Sequence, residues 1–318
     1  MKLIIQIPCL NEADTLAIAL AELPRDVPGI DAVEWLIIDD GSTDATVDVA
    51  RAAGVDHVVS HKSNLGLASA FKTGLDACLR LGADVIVNTD ADNQYCAQDI
   101  PALVSPVVAG NADMVIGERP ISEIDHFSPT KKTLQHLGSW AVRVASKTDI
   151  PDAASGFRAI SRDAAMRLNV FNTYTYTLET IIQAGHKGIS ITSVPIRVND
   201  DLRPSRLVKS IPSYVRRSIL TIIRIFMTYK PMEFFMVPGL TAIGLGLITG
   251  LRYLYFVAIG QGGGHVQSVI LTAVLLLVGF QLALFGLMAE LFSANRKVLE
   301  DIQFRARRAD YEHAKDIR

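Results

Sequence analysis

Glu34-Trp35-Leu36-Ile37-Ile38-Asp39-Asp40-Gly41-Ser42-Thr43-Asp44 is the stretch that decides how this chain folds. A short apolar run breaks into an acidic turn, where Gly41 permits a tight backbone and Asp44 can cap the next helix. The pattern recurs along the first two hundred residues. Apolar or β-branched runs at 3–7, 34–38, 57–60, 84–88, 113–117 and 189–194 alternate with helical patterns at 12–23, 45–53, 65–81, 99–108 and 132–146. Strands of this length separated by helices predict an α/β fold with a mostly parallel sheet, whose ligands bind beyond the carboxyl ends of the strands.

Three of the loops at those ends are acidic or polar: Pro8-Cys9-Leu10-Asn11-Glu12, then Asp39 to Asp44, then Asp90-Ala91-Asp92-Asn93-Gln94. No Gly-x-Gly-x-x-Gly follows a strand and no Gly-Lys-Ser/Thr occurs, which disfavours dinucleotide and P-loop sites. Asp90 and Asp92 flank one small residue, so both carboxylates can turn toward one point. Hard oxygen ligands of this kind suit Mg²⁺ or Mn²⁺, with Gln94 as a further oxygen donor and a substrate diphosphate completing the shell. Asp-x-Asp is also common in solvated turns and caps. Asp39 and Asp40, at a strand end, can accept hydrogen bonds from a base N–H or a ribose hydroxyl. Glu12 reads equally as a cap of its own helix and as a ligand contact.

Composition narrows the class. With 49% hydrophobic residues, 20% charged and a mean hydropathy of +0.28, wholesale disorder, collagen-like and coiled-coil architectures are excluded. The net charge of −2 divides into −9 over residues 1–203 and +7 over the remainder. An acidic body joined to a basic, apolar tail points to a membrane surface, and no nucleic-acid partner is expected. Cys9, Cys78 and Cys96 form neither a disulfide framework nor a thiolate zinc site. The opening apolar run ends at Pro8, too short for a signal-peptide core, so the body is expected in the cytosol. The seven histidines show no metal-ligand spacing.

Residues 234–251 contain no Asp, Glu, Lys or Arg, and neither do residues 253–289. A bilayer core takes about 20 apolar residues per helix, which predicts spans at about 234–257 and 266–289 with a glycine-rich loop at 260–265. Basic residues flank both outer ends while the loop side offers Arg252 alone, so both termini are expected to be cytoplasmic. Residues 211–229 alternate Arg with Ile, Leu, Val and Phe, the pattern of an amphipathic helix in the headgroup region.

Taken together, Pro8-x-x-Asn11-Glu12, Asp39 to Asp44, Asn64-x-Gly66 and Asp90-Ala91-Asp92-x-Gln94 resemble the family 2 glycosyltransferases with the GT-A fold. Ser155-Gly156-Phe157-Arg158 and Val194-Pro195-Ile196, followed by the basic segment and two spans, resemble the polyprenyl-phosphate glycosyltransferases of the dolichol-phosphate mannose synthase kind. The resemblance covers residues 1–230 by motif, and the spans match in type. It implies a Rossmann-like GT-A domain at 1–204, a basic amphipathic interfacial segment at 205–232, a transmembrane hairpin at 233–290 and a charged cytosolic tail at 291–318. It further implies that Pro8, Asn11, Glu12, Asp39, Asp40 and Asp90 bind the nucleotide and that Asp90, Asp92 and Gln94 hold the metal. Arg119, Lys132, Ser155, Arg158 and Arg203 would meet the acceptor phosphate, with Asp92, Arg119, Glu179 and Arg203 the catalytic set. Arg158 alternatively pairs with an acidic neighbour, and Glu179 reads equally as a structural carboxylate on a helix. Arg206 stands where the family usually has Lys, and Pro204 replaces a more flexible residue.

Elementary chemistry fits this picture. A lipid phosphate is already ionised at neutral pH and attacks an anomeric carbon without a strong base, while the leaving nucleoside diphosphate needs a divalent cation. One displacement inverts the anomeric configuration. The expected function is therefore metal-dependent, inverting transfer of one sugar from a UDP- or GDP-sugar to a polyprenyl (dolichyl or undecaprenyl) phosphate, with a homo-oligomer among the allowed assemblies. A processive polysaccharide synthase would carry Gln-x-x-Arg-Trp, absent here. A non-catalytic membrane adaptor that retains a nucleotide-sugar fold would have no need of Asp90 and Asp92.

Overall fold

Leu3, Ile4, Ile5 and Ile7 on the first strand are all fully buried, which happens only when a strand is covered on both faces, as in a parallel sheet sandwiched by helices. Each such side chain contributes about 1.5–3 kcal/mol on leaving water. The computed structural model describes residues 1–120, 139–140, 142–170, 176–200, 219–220, 223–224 and 226–316. Lys132, Arg203 and most of the expected interfacial segment 205–232 lie outside the described residues.

The chain runs β1 (Lys2–Cys9), α1 (Ala13–Glu22), β2 (Ala32–Asp39), α2 (Thr46–Ala52), β3 (His57–Ser60), α3 (Leu67–Arg80), β4 (Val85–Asn88), α4 (Ile100–Val108), β5 (Met114–Glu118), β6 (Arg158–Ser161), α5 (Arg162–Arg167), α6 (Thr177–Lys187) and β7 (Ile191–Pro195). These strands form one seven-stranded sheet in the order β3-β2-β1-β4-β6-β5-β7. All pairings are parallel except those of β6 with β4 and β5. β6 is the strand that sequence patterning misses, being four residues long and opening on an arginine. Because it runs against its neighbours, its first residue lies beside the last residue of β4, with Arg158 paired to Asn88. The carboxyl ends of β1, β2, β4 and β5 and the start of β6 therefore share one edge, and all three acidic loops emerge there.

The chain divides into two units, Met1–Ile222 with Ile302–Arg318, and Ile223–Asp301. The second holds α7 (Pro231–Ala258), a 3₁₀ turn at Gly262–His265 and most of α8, which spans Val266–Asp316. Both helices are long and apolar enough to cross a membrane. Of the residues expected as a charged cytosolic tail at 291–318, residues 291–316 continue α8 as helix, and from Ile302 they cluster with the first unit. There Arg307 Nη1 donates to the Leu168 carbonyl at 3.0 Å and Tyr311 Oη to Asp76 Oδ1 at 2.8 Å.

Within the hairpin, small residues allow backbone contact. A Cβ on Gly279 would stand 2.7 Å from the Gly239 carbonyl oxygen and 2.9 Å from Ile243 N, and one on Gly239 would stand 3.0 Å from the Gly279 oxygen. Thr249 and Thr272 hydroxyls bond at 2.8 Å across the same seam. Gly279→Leu is expected to destabilise the hairpin by about 1–3 kcal/mol through overpacking, lowering its thermal midpoint in detergent. Gly263→Leu, whose Cβ would meet open space, should leave that midpoint unchanged.

Candidate active site

The first two acidic loops are sewn together. Asn11, in the left-handed region at φ +55°, accepts from Thr43 N at 2.8 Å and donates its own N–H to Ser42 Oγ at 2.9 Å. Glu12 N donates to Thr46 Oγ1 and Ala13 N to Asp44 Oδ2. Asp44 thus serves two helices. Burial alone would raise its pKa, but hydrogen bonds from Thr46 and Ala13 more than offset this and hold the carboxyl below its ordinary range. The Glu12 carboxylate is buried and accepts the Thr15 hydroxyl at 3.0 Å.

Asp39 and Asp40 are both buried. Asp39 Oδ1 accepts from Ser42 N at 2.8 Å, closing the turn. Asp40 takes Leu65 N at 2.9 Å, Gly66 N at 2.8 Å and His61 Nδ1 at 2.7 Å. It therefore anchors the segment that follows β3. Gly41 lies beneath that segment at φ +78°, and a Cβ there would sit 2.6 Å from the Ser63 carbonyl carbon. Only glycine fits.

The third loop leaves β4 after a buried polar residue. Asn88 accepts from Gln6 Nε2 at 2.9 Å and donates to the Gly156 carbonyl at 2.9 Å and the Tyr176 hydroxyl at 2.8 Å. Gly156 N donates to the Tyr95 hydroxyl at 2.9 Å, so both sides of this residue are held. A Cβ at Gly156 would stand 3.2 Å from Asp90 Oδ2, which makes this glycine the seat of Asp90. Burial, and after it the charge of Asp92, push the Asp90 carboxyl up to about 7. Two carboxylates repelling each other at the sheet edge are a donor set that a hard divalent cation would relieve. Asp92, half-buried, accepts from Gln94 N at 3.4 Å. Among the described residues no three His, Cys, Asp or Glu gather into a metal cage.

The expected acceptor residues separate. Arg119 is clamped by Asp152, its Nε 2.7 Å from Oδ2 and its Nη2 3.0 Å from Oδ1. Burial works against its charge, but Tyr95 and Asp152 outweigh it and hold the guanidinium firmly charged. Ser155 is fully buried, and its Oγ has no hydrogen-bond partner among the described residues, an orphan a ligand oxygen would satisfy. Arg158 departs from the expectation that it meets a phosphate. It is fully buried, its Nε and Nη2 donate to the Ser155 carbonyl at 2.9 and 2.6 Å, its Nη2 also to Ala153 O and its Nη1 to Thr177 O. Thr180 Oγ1 accepts from it too. Burial lowers its pKa to about 10. The guanidinium faces carbonyls, neither a carboxylate partner nor an open cleft. Glu179 occupies the first turn of α6, half-buried.

The sequence model described as glycosyl transferase family 2 matches residues 4–168, just over half of the chain. The chain belongs to glycosyl transferase family 2. Among its relatives, the undecaprenyl-phosphate mannosyltransferase of Micrococcus luteus is 29% identical over 206 residues, covering 62% of this chain and 83% of that protein. The glycosyltransferase AglJ of Haloferax volcanii is 28% identical over 306 residues, 93% of this chain and 95% of its own length, so the likeness extends through the hairpin. Among solved structures, glucosyl-3-phosphoglycerate synthase from Mycobacterium tuberculosis, crystallised with Mn²⁺, UDP and phosphoglyceric acid, superposes with a TM-score of 0.52 at 20% identity, covering 70% of this chain and 78% of that one. The fold is GT-A-like.

In this family 2 glycosyltransferase the residues that sequence reading passes over are Asn88, Tyr95, Asp152, Tyr176 and His61. Gln6 and Asn88 carried a signal, since each is a lone polar residue in an apolar strand. The raised Asp90 gives a test of the metal site. A carboxyl whose pKa in the fold exceeds its free value of about 4 costs stability as pH climbs between the two. A bound divalent cation removes that cost. The increase in thermal midpoint produced by Mn²⁺ over EDTA is therefore expected to grow from pH 5 to pH 8. An increment flat across that range would contradict the assignment.

Proposed function

We propose that this glycosyltransferase carries out inverting, metal-dependent transfer of a single sugar from a nucleotide-sugar donor to a polyprenyl phosphate at the cytosolic membrane face. The observation that carries the reading is the paired Asp90 and Asp92 at the sheet edge in a chain that also holds two helices long enough to span a bilayer. The name of the Micrococcus luteus relative supports the acceptor class. The Mn²⁺ and UDP of the Mycobacterium tuberculosis structure support the donor and cofactor class.

Asp90 and Asp92, with Gln94, would hold Mg²⁺ or Mn²⁺, which supplies charge stabilisation to the leaving diphosphate. Asp39, Asn11 and the turn anchored by Asp40 form the nucleoside side of the cleft. Asp152 fixes Arg119 by Nε and Nη2, leaving its Nη1 among the described residues for an acceptor phosphate, and the Ser155 hydroxyl offers a further contact. Lys132 and Arg203, outside the described residues, are assigned to the acceptor phosphate by the family resemblance alone. The phosphate oxygen attacks the anomeric carbon as the glycosyl–phosphate bond of the donor breaks, and a single displacement inverts the centre. The basic residues flanking both outer ends of the hairpin support a cytoplasmic position for the two termini.

Membranes containing the protein should transfer label from one member of a panel of UDP- and GDP-sugars into the polyprenyl-phosphate lipid fraction. No lipid labelling with any donor would favour the adaptor reading. A tag at residues 262–264 should resist protease from the cytosolic side, and its cleavage there would overturn the two-span hairpin.

A further inference from the structure

His61 belongs to no motif, yet it occupies the centre of a closed chain of hydrogen bonds. Its Nδ1 lies 2.7 Å from Asp40 Oδ1 and its Nε2 lies 2.9 Å from Thr73 Oγ1 on α3. The ring is nearly buried, with a side-chain exposure of 10%. A carboxylate oxygen accepts, so the Nδ1–H points to Asp40 and Nε2 faces the Thr73 hydroxyl. The same carboxylate receives Leu65 N and Gly66 N, and Gly66 sits at φ +94° with its N–H shared with Asn64 Oδ1 at 2.9 Å. The backbone at Ser63 and Asn64 then lies over Gly41 within the reach of a Cβ. The turn at 63–66 is thus pinned above the Asp39-Asp40-Gly41 corner by one carboxylate, and that carboxylate is pinned by one imidazole.

We propose that His61 is a positioning residue for the donor nucleotide. By holding Asp40 between its ring and the backbone of residues 65 and 66, it sets the position of a turn that walls the nucleoside side of the cleft. Thr73 fixes the ring from α3, so the wall is tied to a helix whose face toward the sheet is buried. This rests on the reading that the donor occupies the edge formed by β1, β2 and β4. Without the imidazole, Asp40 keeps its two backbone donors but loses the one that fixes its plane. The turn can then relax away from Gly41. The chemistry, carried by the opposite side of the site around Asp90, is untouched.

The test uses the full chain in detergent, titrated calorimetrically with UDP and with GDP in the presence of Mn²⁺. His61→Ala should weaken whichever nucleotide the unaltered protein binds by at least about tenfold. His61→Asn, which can return an N–H donor to Asp40, should recover most of that loss, and Thr73→Val should cost about threefold with unchanged thermal stability. In transfer assays the His61→Ala loss should fall on the donor KM, with kcat within about threefold and the acceptor KM unchanged. Unaltered nucleotide affinity in both His61→Ala and Thr73→Val would overturn the proposal, as would a loss confined to kcat. Failure of the unaltered protein to bind either nucleotide would instead overturn the donor reading on which it stands.

Discussion

Asp92→Asn is expected to abolish metal-dependent transfer, by about a thousandfold or more, while the protein still folds and inserts. A single misplaced electrostatic partner of a developing charge costs about 10²–10³ in rate, and here the change removes half of a two-carboxylate donor set. The substitution preserves shape. It should also relieve the fold, because the charge of Asp92 is the largest influence after burial that pushes Asp90 up to about 7. In the Asp92→Asn protein the Asp90 pKa should therefore fall, and the pH dependence of the metal-free thermal midpoint between pH 5 and 8 should flatten. Lipid labelling measures the first effect, and scanning fluorimetry in EDTA the second. Loss of labelling with a steeper pH dependence would mean that Asp92 acts through the fold, and full labelling would sink its role altogether.

The alternating fold was legible because its strands are buried on both faces and so read as nearly continuous apolar runs, as in Leu3 to Ile7, fully buried throughout and interrupted only by Gln6. The three loops were legible because carboxylates at the ends of such runs have few structural reasons to be there. What the sequence did not show is how those loops are shared. Ser42, Thr43 and Asp44 look like caps of the helix that follows them, and Thr46 and Asp44 do meet there, yet Ser42, Thr43 and Asp44 also bond Asn11 and Ala13 some thirty residues away. Such cross-loop bonds depend on the parallel register of β1 and β2, which pairs Cys9 with Asp39, and no local pattern encodes it. β6 was hidden for a related reason. Arg158-Ala159-Ile160-Ser161 is too short and too mixed to announce a strand, and it is one only because β4 and β5 leave a gap between them. Its arginine was expected, from the family resemblance, to meet the acceptor phosphate or else to pair with an acidic neighbour.

The buried network of Arg158 carries the second large effect. Arg158→Met is expected to destabilise the catalytic domain by about 3–5 kcal/mol, the cost of breaking a buried charged network from one side. The guanidinium gathers Ala153 O, Ser155 O and Thr177 O, and its removal takes a charged donor from each of these carbonyls, a loss of about 1–3 kcal/mol wherever no other donor replaces it. At about 2–4 °C per kcal/mol for a domain of this size, the thermal midpoint should fall by about 10 °C. Arg158→Lys keeps the charge but not the fork, so one ammonium cannot span Ser155 and Thr177 together, and an intermediate loss follows. The same comparison separates the two roles. A phosphate-binding arginine replaced by lysine would keep its stability and raise the acceptor KM, whereas a residue that joins the Ala153 to Ser155 turn to the start of α6 must lose stability first. A midpoint unchanged in both variants, with a raised acceptor KM, would return Arg158 to the acceptor site. Because the turn it holds continues into Gly156, the seat of Asp90, the expected loss of stability should also bring weaker Mn²⁺ binding in whatever fraction of Arg158→Lys remains folded.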